Sequence, residues 1–512
     1  MSRSPLRIGL SRNELSASIQ SLRIPIRHTH HQVNSRQSPS SSTAGTASTG
    51  TYPGTKIAAQ PEKPASPLSI LPLSEVIRSL SVTTISSVPL FLGPTLATLS
   101  FLANSKSALL DPDRNGILNF LLRKTLYAQF CAGENPPAVK KCIKELKRMG
   151  YSGVILGYGK EVVMDEDEAS AVGTQTLDSR DDAAVQERNT REVLAWKDGT
   201  MKTVELAEEG DFVALKFTGA GRQALNHLIR GLPPSPELEQ AIIDICDRAR
   251  ERNVRLLFDA EQQAVQHTID SWVLHFQRRY NGSFTLRGEP RALVYGTYQA
   301  YLLSTPATLA HHLAVSQKEG FVLGVKLVRG AYLGSDPRHL FWETKEGTDT
   351  AYDSIAESLI TRQYGAVLKP HPSDPADSTA SNRPAFPQAD LVLATHNRKS
   401  VQKARALRNQ QVRARQPLIE MAYGQLQGMA DDISCRLVQE SKLAKANGGI
   451  DEEVPKPYKY LVWGTVGECT KYLLRRGHEN RDAASRTKDT RQAMFAELKR
   501  RGSLGFLSNN RH

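Results

Sequence analysis

From Ser152 onward the chain alternates between short, almost unbroken apolar runs and longer stretches with an apolar residue every three or four positions. The apolar runs are "SGVILGYG" from Ser152, "FVALKFTG" from Phe212, "VRLLFDAE" from Val254 and "ALVYGTYQ" from Ala292. They continue with "GVKLVRGAY" from Gly324, "ADLVLATHN" from Ala389, "IEMAYGQ" from Ile419 and "KYLVWG" from Lys459. Runs of this length and composition predict strands buried on both faces. The segments between them, clearest in "SPELEQAIIDICDRARERN" and "TPATLAHHLAVSQKEG", have the period of amphipathic helices. Eight strand–helix units predict an α/β fold of the closed, TIM-like (β/α)8 barrel type. An open doubly wound sheet is the alternative; it usually carries a G-x-G-x-x-G turn after its first strand, and none is present.

Upstream, residues 68–150 read as an N-terminal helical region. "SEVIRSLSVTTISS", "GILNFLLRKTLYAQFCAGE" and "PAVKKCIKELKRMG" each have helical spacing, and Gly150 closes the third. The most apolar stretch, "VPLFLGPTLATLSFLA" from Val88 to Ala103, is shorter than the ~20 residues of a membrane-spanning helix and contains Gly93 and Pro94. It reads as a core or docking helix. Two overlong intervals, near residues 162–190 and 368–388, are respectively acidic and rich in Pro, Ser and Asp. Both are expected to be surface insertions without chemistry. The expected division is therefore leader and linker over 1–67, helical region over 68–150 and barrel over 151–512.

The net charge of +13 raises the question of nucleic acid or an anionic membrane. Its placement weakens the nucleic-acid reading, because much of the excess lies at the two ends. Residues 1–50 hold six arginines and one acid, Glu14, among many serines. That is the composition of a mitochondrial transit peptide, with an ordinary disordered tail as the plainer alternative. The five cysteines are scattered with no C-x-x-C pair, which argues against a disulfide framework and a zinc site.

In a barrel of this kind chemistry collects where strands end. The residues there are Lys216, Asp259 with Glu261, Gln299, Lys326 with Arg329 and Tyr332, His396 with Asn397, Tyr423 with Gln425, and Tyr460. Each also has a structural reading. Lys216 and Asp259 could form one salt bridge, and Asp259 could equally cap a helix. In "KLVRGAY", alternation puts Lys326, Val328 and Gly330 on one face and Leu327 and Arg329 on the other. Two cations so close suit an anion or an electron-rich ring, or simply one basic residue inward and one outward. "ATHN" (Ala394 to Asn397) ends a strand with an imidazole and an amide, without metal-ligand spacing. In "KYLLRRGHENR", Arg475 and Arg476 stand side by side on the last helix, with Tyr472 one turn before Arg476 and Glu479 one turn after Arg475. Adjacent guanidinium groups suit a carboxylate lying between their tips, which they bind in fork geometry. Glu479 can orient Arg475 and offset the repulsion. A solvated basic face is the alternative.

Taken together, "LFDAE", "KLVRGAY", "LATHN", "GQLQGMAD" and "YLLRRGHEN", in this order, resemble the proline dehydrogenase family of flavoenzymes. The resemblance runs from about Gly150 to Arg481. It implies a (β/α)8 barrel that binds FAD without a Rossmann domain. It implies oxidation of L-proline to Δ1-pyrroline-5-carboxylate, the first step of proline catabolism to glutamate, with hydride passing to flavin N5 and electrons to ubiquinone. It also implies a mitochondrial, fungal-type member in the matrix, in peripheral contact with the inner membrane. By position, Arg475 and Arg476 match the family's carboxylate-binding arginines and Lys216 its third cation, with Asp259 the acid pairing with that lysine. Tyr332, Leu426, Tyr460 and Tyr472 match residues walling the proline ring, and Glu479 the acid steadying the arginine. Lys326, Arg329 and Gly330 match the flavin-side "K-V-RGA" stretch, and Thr395, His396 and Asn397 the flavin-contacting "THN". Lys326 stands where many bacterial members have arginine. Gly296 falls where some have a flavin-contacting glutamine, so Gln299 takes that role by proximity. Hydroxyproline as substrate, or a non-catalytic barrel that only binds ligand, are the alternatives.

Overall fold

Eight parallel strands close on themselves in the computed structural model. It describes residues 66–105, 107, 109–159, 183–372, 385–482 and 484–509. The leader up to residue 65 and the central parts of both expected insertions, 160–182 and 373–384, lie outside the described residues. In chain order the barrel strands are β1 (Gly153–Tyr158), β2 (Phe212–Leu215), β3 (Arg255–Phe258) and β4 (Val294–Gln299). They continue with β5 (Leu323–Val328), β6 (Ala389–Ala394), β7 (Met421–Leu426) and β8 (Pro457–Trp463). Each pairs with the next, and β8 closes on β1 with Tyr458 opposite Gly153 and Trp463 opposite Tyr158.

Alternation along each strand divides inner from outer side chains. Ile155, Phe212, Leu257, Tyr295, Val392, Ala422 and Tyr458 pack together inside the barrel. Their neighbours, such as Val213, Leu256, Val325 and Leu391, pack outward with the helices. The end of the barrel where strands begin is plugged by a polar network. Arg255 stacks on the Phe212 ring at 3.7 Å and donates to the Tyr458 hydroxyl at 3.0 Å and the Gly210 carbonyl at 2.8 Å. Asp390 accepts the Ala292 N–H at 2.9 Å, and Glu420 accepts from Lys456 at 2.6 Å. The opposite end is therefore the one open to chemistry.

Three local findings differ from the sequence expectation. "GILNFLLRKTLYAQFCAGE" is not one helix. An α-helix over Gly116–Leu122 runs into a π turn over Arg123–Tyr127, then a short helix Ala128–Phe130 and a strand Cys131–Gly133 paired with β8. The buried residues explain the break. Leu122 and Tyr127 both face the interior but are five positions apart, a spacing that a π turn supplies and an α-helix does not. The expected insertion near 162–190 has a structured end, because residues 183–190 open the helix Ala183–Leu206. Likewise the end of the second insertion is anchored, with Leu368 and Phe386 buried in the outer core.

The N-terminal helix Leu73–Ser87 packs on the C-terminal helix Ala484–Asn509, with Val76 and Met494 in one apolar cluster. Arg501 ties the two ends together by donating to the carbonyls of Leu68 and Leu71 at 3.0 and 2.9 Å.

Candidate active site

The paired arginines sit on the helix Val466–Asp482, which follows β8. Its start is fixed by a capping box: the Thr465 hydroxyl accepts the Glu468 N–H at 3.2 Å, and Glu468 accepts the Thr465 N–H at 2.9 Å. Asp113, from the N-terminal region, adds a second cap. Its carboxylate accepts from the Thr465 hydroxyl at 2.6 Å and the Gly467 N–H at 2.8 Å. An acid at this end of the helix also complements the dipole.

One turn into this helix Tyr472 is buried, and its hydroxyl has no hydrogen-bond partner. Burial pushes that hydroxyl well above the ordinary tyrosine range, so it stays protonated. Arg476 is buried too, with its guanidinium 4.9 Å from the Tyr472 ring centroid. Its Nη2 donates to Glu479 at 2.5 Å, and its Nε is buried without a partner. The spacing had pointed Glu479 at Arg475; the carboxylate also serves the second arginine, accepting from Arg476 three residues back. Arg476 is the more buried of the two arginines, and a buried cation needs its counter-charge more.

A second group gathers at the ends of β3, β5 and β8. Lys326 Nζ donates to Asp259 Oδ1 at 2.5 Å, and the Tyr460 hydroxyl donates to Asp259 Oδ2 at 2.9 Å. The Lys326 ammonium also lies 5.3 Å from the Tyr460 ring centroid. Lys326 and Tyr460 are two donors to Asp259 that the sequence did not single out. Lys216 is half-buried, and its carbonyl accepts from Trp196 at 3.0 Å. Its charge bears on Glu261, a buried carboxylate that accepts from the Thr218 N–H at 3.1 Å and from the Thr218 hydroxyl. Burial raises the Glu261 pKa, and Lys216 opposes that rise.

Tyr460 and Leu426 are partly buried and pack against the same apolar cluster as Tyr472, which joins the two groups. Leu426 is held in place by His396, whose Nε2 accepts the Leu426 N–H at 3.1 Å. Thr395 accepts from Arg329 Nη1 at 2.7 Å and from the Asn397 N–H at 3.0 Å. Asn397 is the N-cap of the helix Arg398–Arg413, accepting from the N–H groups of Lys399 and Ser400. Arg329 lies on the opposite face from Lys326, as alternation required, and each of its three nitrogens donates one hydrogen bond. Besides Thr395 it donates to Asp349 at 2.7 Å and Ser400 at 2.8 Å, and it lies 4.3 Å over the Tyr352 ring. Gln299 is buried and accepts the Ala331 N–H at 3.3 Å, linking the end of β4 to the loop after β5. Gly330 in that loop has φ +148°, and a Cβ there would fall 1.2 Å from the Tyr301 ring. Tyr332 follows, half-buried. Gln425 and Tyr423 point the other way; Gln425 donates to the Thr395 carbonyl, and the Tyr423 hydroxyl donates to Glu453.

Asp113, Asp349, Ser400 and Tyr301 hold this site together and were not foreseen. As single polar or aromatic positions in helices and loops, they look in sequence like any solvated surface residue.

Residues 139–489 match the family model described as proline dehydrogenase. The chain belongs to the proline dehydrogenase family. It is an oxidoreductase by that membership. Among curated relatives, the Schizosaccharomyces pombe protein named "Probable proline dehydrogenase, mitochondrial" is 29% identical over 419 residues, covering 75% of this chain and 81% of that one. "Proline dehydrogenase 1, mitochondrial" of Arabidopsis thaliana is 28% identical, covering 85% and 84%. "Hydroxyproline dehydrogenase" of Bos taurus is 26% identical, covering 74% and 82%. Among solved structures, proline utilization A from Bdellovibrio bacteriovorus, inactivated by N-propargylglycine, aligns with a TM-score of 0.50 at 16% identity. The alignment covers 82% of this chain and 40% of that one, and it speaks to the fold.

Proposed function

We propose that this family member oxidises L-proline to Δ1-pyrroline-5-carboxylate in mitochondria, opening proline catabolism to glutamate. The observation that carries the reading is the pair Arg476 and Tyr472, buried side by side with polar atoms unmet by the protein. A buried guanidinium with donors to spare calls for a small anionic ligand, since unmet buried donors are costly.

In this reading Arg475 and Arg476 hold the proline carboxylate, with Lys216 as a third cation and Glu479 fixing Arg476. Leu426, Tyr460, Tyr472 and Tyr332 wall the ring and exclude water. No protein side chain needs to act as a nucleophile; the chain's work is orientation and electrostatics.

The residues also fit a flavin. The inner positions just below the mouth, Gly157, Ala214, Ala394 and Gly424, are all small, and a Cβ on Gly157 would crowd the Tyr460 hydroxyl at 3.2 Å. Lys326, Gln299, Arg329, Gly330, Thr395, His396 and Asn397 would hold FAD there. Bound FAD would supply the two-electron acceptor at its N5 and pass the electrons to ubiquinone at the inner membrane. Asp259 keeps Lys326 and Tyr460 in position at that border.

The test is the visible spectrum of the purified protein. Flavin absorbance that bleaches on anaerobic addition of L-proline supports the reading. A colourless protein that FAD cannot reconstitute would sink it. Arg476→Lys keeps the charge but loses the fork, and is expected to lower kcat/KM for proline by about a hundredfold. The bovine relative's name makes 4-hydroxyproline the second reading. Tyr460, held by Asp259, is the residue expected to govern tolerance of a ring hydroxyl; turnover of the two substrates compared directly distinguishes the readings.

A further inference from the structure

The loop after β5, which carries Tyr332, closes around one side chain. Tyr301 donates its N–H to the Arg329 carbonyl at 2.8 Å, where the loop begins, and its carbonyl accepts the Trp342 N–H at 3.0 Å, where the loop ends. Residues 330–341 therefore leave from and return to the same residue, as in an Ω-loop. The Tyr301 ring is buried inside: a Cβ on Gly330 would fall 1.2 Å from it, and Phe341 packs on it with ring centroids 4.4 Å apart. The Tyr301 hydroxyl meets the middle of the loop. It accepts the Tyr332 N–H and donates to Asp336 Oδ2 at 3.5 Å. The Asp336 N–H donates in turn to the Tyr332 carbonyl at 2.9 Å.

Asp336 also reaches beyond its own loop. Its Oδ1 accepts the Gln263 N–H at 3.0 Å. Gln263 opens the helix Gln263–Tyr280, which follows β3 and the residues Asp259 and Glu261. That helix has no cap of its own. Its N-cap residue, Gln262, makes no side-chain bond to the first turn, and the first turn holds no acid. The leading N–H groups of a helix have no partner within it, and an acid placed there also complements the dipole. Asp336 meets both needs from 73 residues away.

We infer, on the strength of the proline reading in which Tyr332 walls the substrate ring, that Asp336 is a positioning residue. By capping the helix after β3 it latches the loop after β5 and holds Tyr332 at the barrel mouth. The same two strands are already joined there by Lys326 and Asp259; Asp336 extends that tie to the loop. Without it the loop keeps both ends on the Tyr301 backbone, but its middle loses the one carboxylate that binds it to the barrel. Lys326, Arg475 and Arg476 stay where they are. Loss of the latch therefore weakens the hold on the ring and spares the reacting groups, which is a loss of binding shared by ground and transition states.

Steady-state turnover with a soluble acceptor and timed trypsin digestion of the full chain test this together. Asp336→Ala should raise KM for proline about tenfold, the worth of one hydrogen bond to a charged group, and change kcat little. Asp336→Asn keeps an acceptor oxygen for the Gln263 N–H and should recover most of the loss. Arg338 is exposed within the loop. Cutting after it, followed by mass spectrometry, should be several-fold faster in Asp336→Ala than in the wild type, because the loop opens more often. Gln262→Asp gives the helix a cap of its own. In Asp336→Ala/Gln262→Asp the urea midpoint should therefore recover while the raised KM remains. Recovery of KM along with the midpoint would make Asp336 a helix cap only and overturn the inference. So would an unchanged KM in Asp336→Ala, equal cutting rates, or an Asp336→Asn variant as impaired as Asp336→Ala. A wild type inert toward proline, with the difference in cutting intact, would count against the reaction and leave the latch standing.

Discussion

The consequential residues at the smallest scale are those whose partners leave no alternative. Asp259 accepts from Lys326 and Tyr460, so Tyr460→Phe removes one charge-assisted hydrogen bond from a partly buried carboxylate. Such bonds are worth roughly 1.5–3 kcal/mol. If the proposed site is used, proline kcat/KM should fall about tenfold to a hundredfold, measured by steady-state turnover with a soluble acceptor. Gly330 is fixed by two separate facts, its φ of +148° and the Tyr301 ring 1.2 Å from where a Cβ would stand. Gly330→Ala should therefore cost most of the activity and lower the melting temperature. Adding Tyr301→Ala should restore part of the loss if the clash is the cause, and none if backbone strain is.

At the scale of elements, the helix Val466–Asp482 brings Tyr472, Arg475, Arg476 and Glu479 to the site, so its first turn matters out of proportion to its size. Thr465 and Glu468 cap it from within, and Asp113 caps it from the N-terminal region. Removing a capping acid costs about 1 kcal/mol. Asp113→Ala is expected to destabilise by that amount in chemical denaturation and to raise KM for proline more than it lowers kcat, since it loosens the element that carries the arginines. A wild-type KM in this variant would mean that the barrel alone positions the helix.

For the whole molecule, the barrel carries two buried polar systems at opposite ends. The mouth carries the proposed site, and the plug closes the other end. Within the plug, burial pushes the Asp390 carboxyl from 3.8 up to about 7. The folded state therefore holds this proton more tightly than the unfolded chain. The sign follows directly: the contribution is intact below about pH 4 and is lost as pH rises toward 7, at up to about 1.4 kcal/mol per pH unit. Asp390→Asn keeps an oxygen for the Ala292 N–H and removes the titration. Its stability should vary less with pH between about 4 and 7 than that of the wild type, as read from urea midpoints. Parallel curves for the two proteins would show that Asp390 does not carry this dependence.

The sequence by itself determined the barrel and which polar residues stand at the ends of its strands. Alternation along a strand and the 3.6-residue period of a helix are local properties, so the eight strands and the opposite faces of Lys326 and Arg329 were legible. Only the tertiary structure decided who pairs with whom. Asp259 meets Lys326 across 67 residues and Tyr460 across 201, distances over which spacing carries no information. Glu479 accepts from Arg476, whose burial, a property of the assembled core, makes a counter-charge necessary. The π turn at Arg123–Tyr127 likewise exists because Leu122 and Tyr127 must both reach an interior that forms only when distant strands close around it.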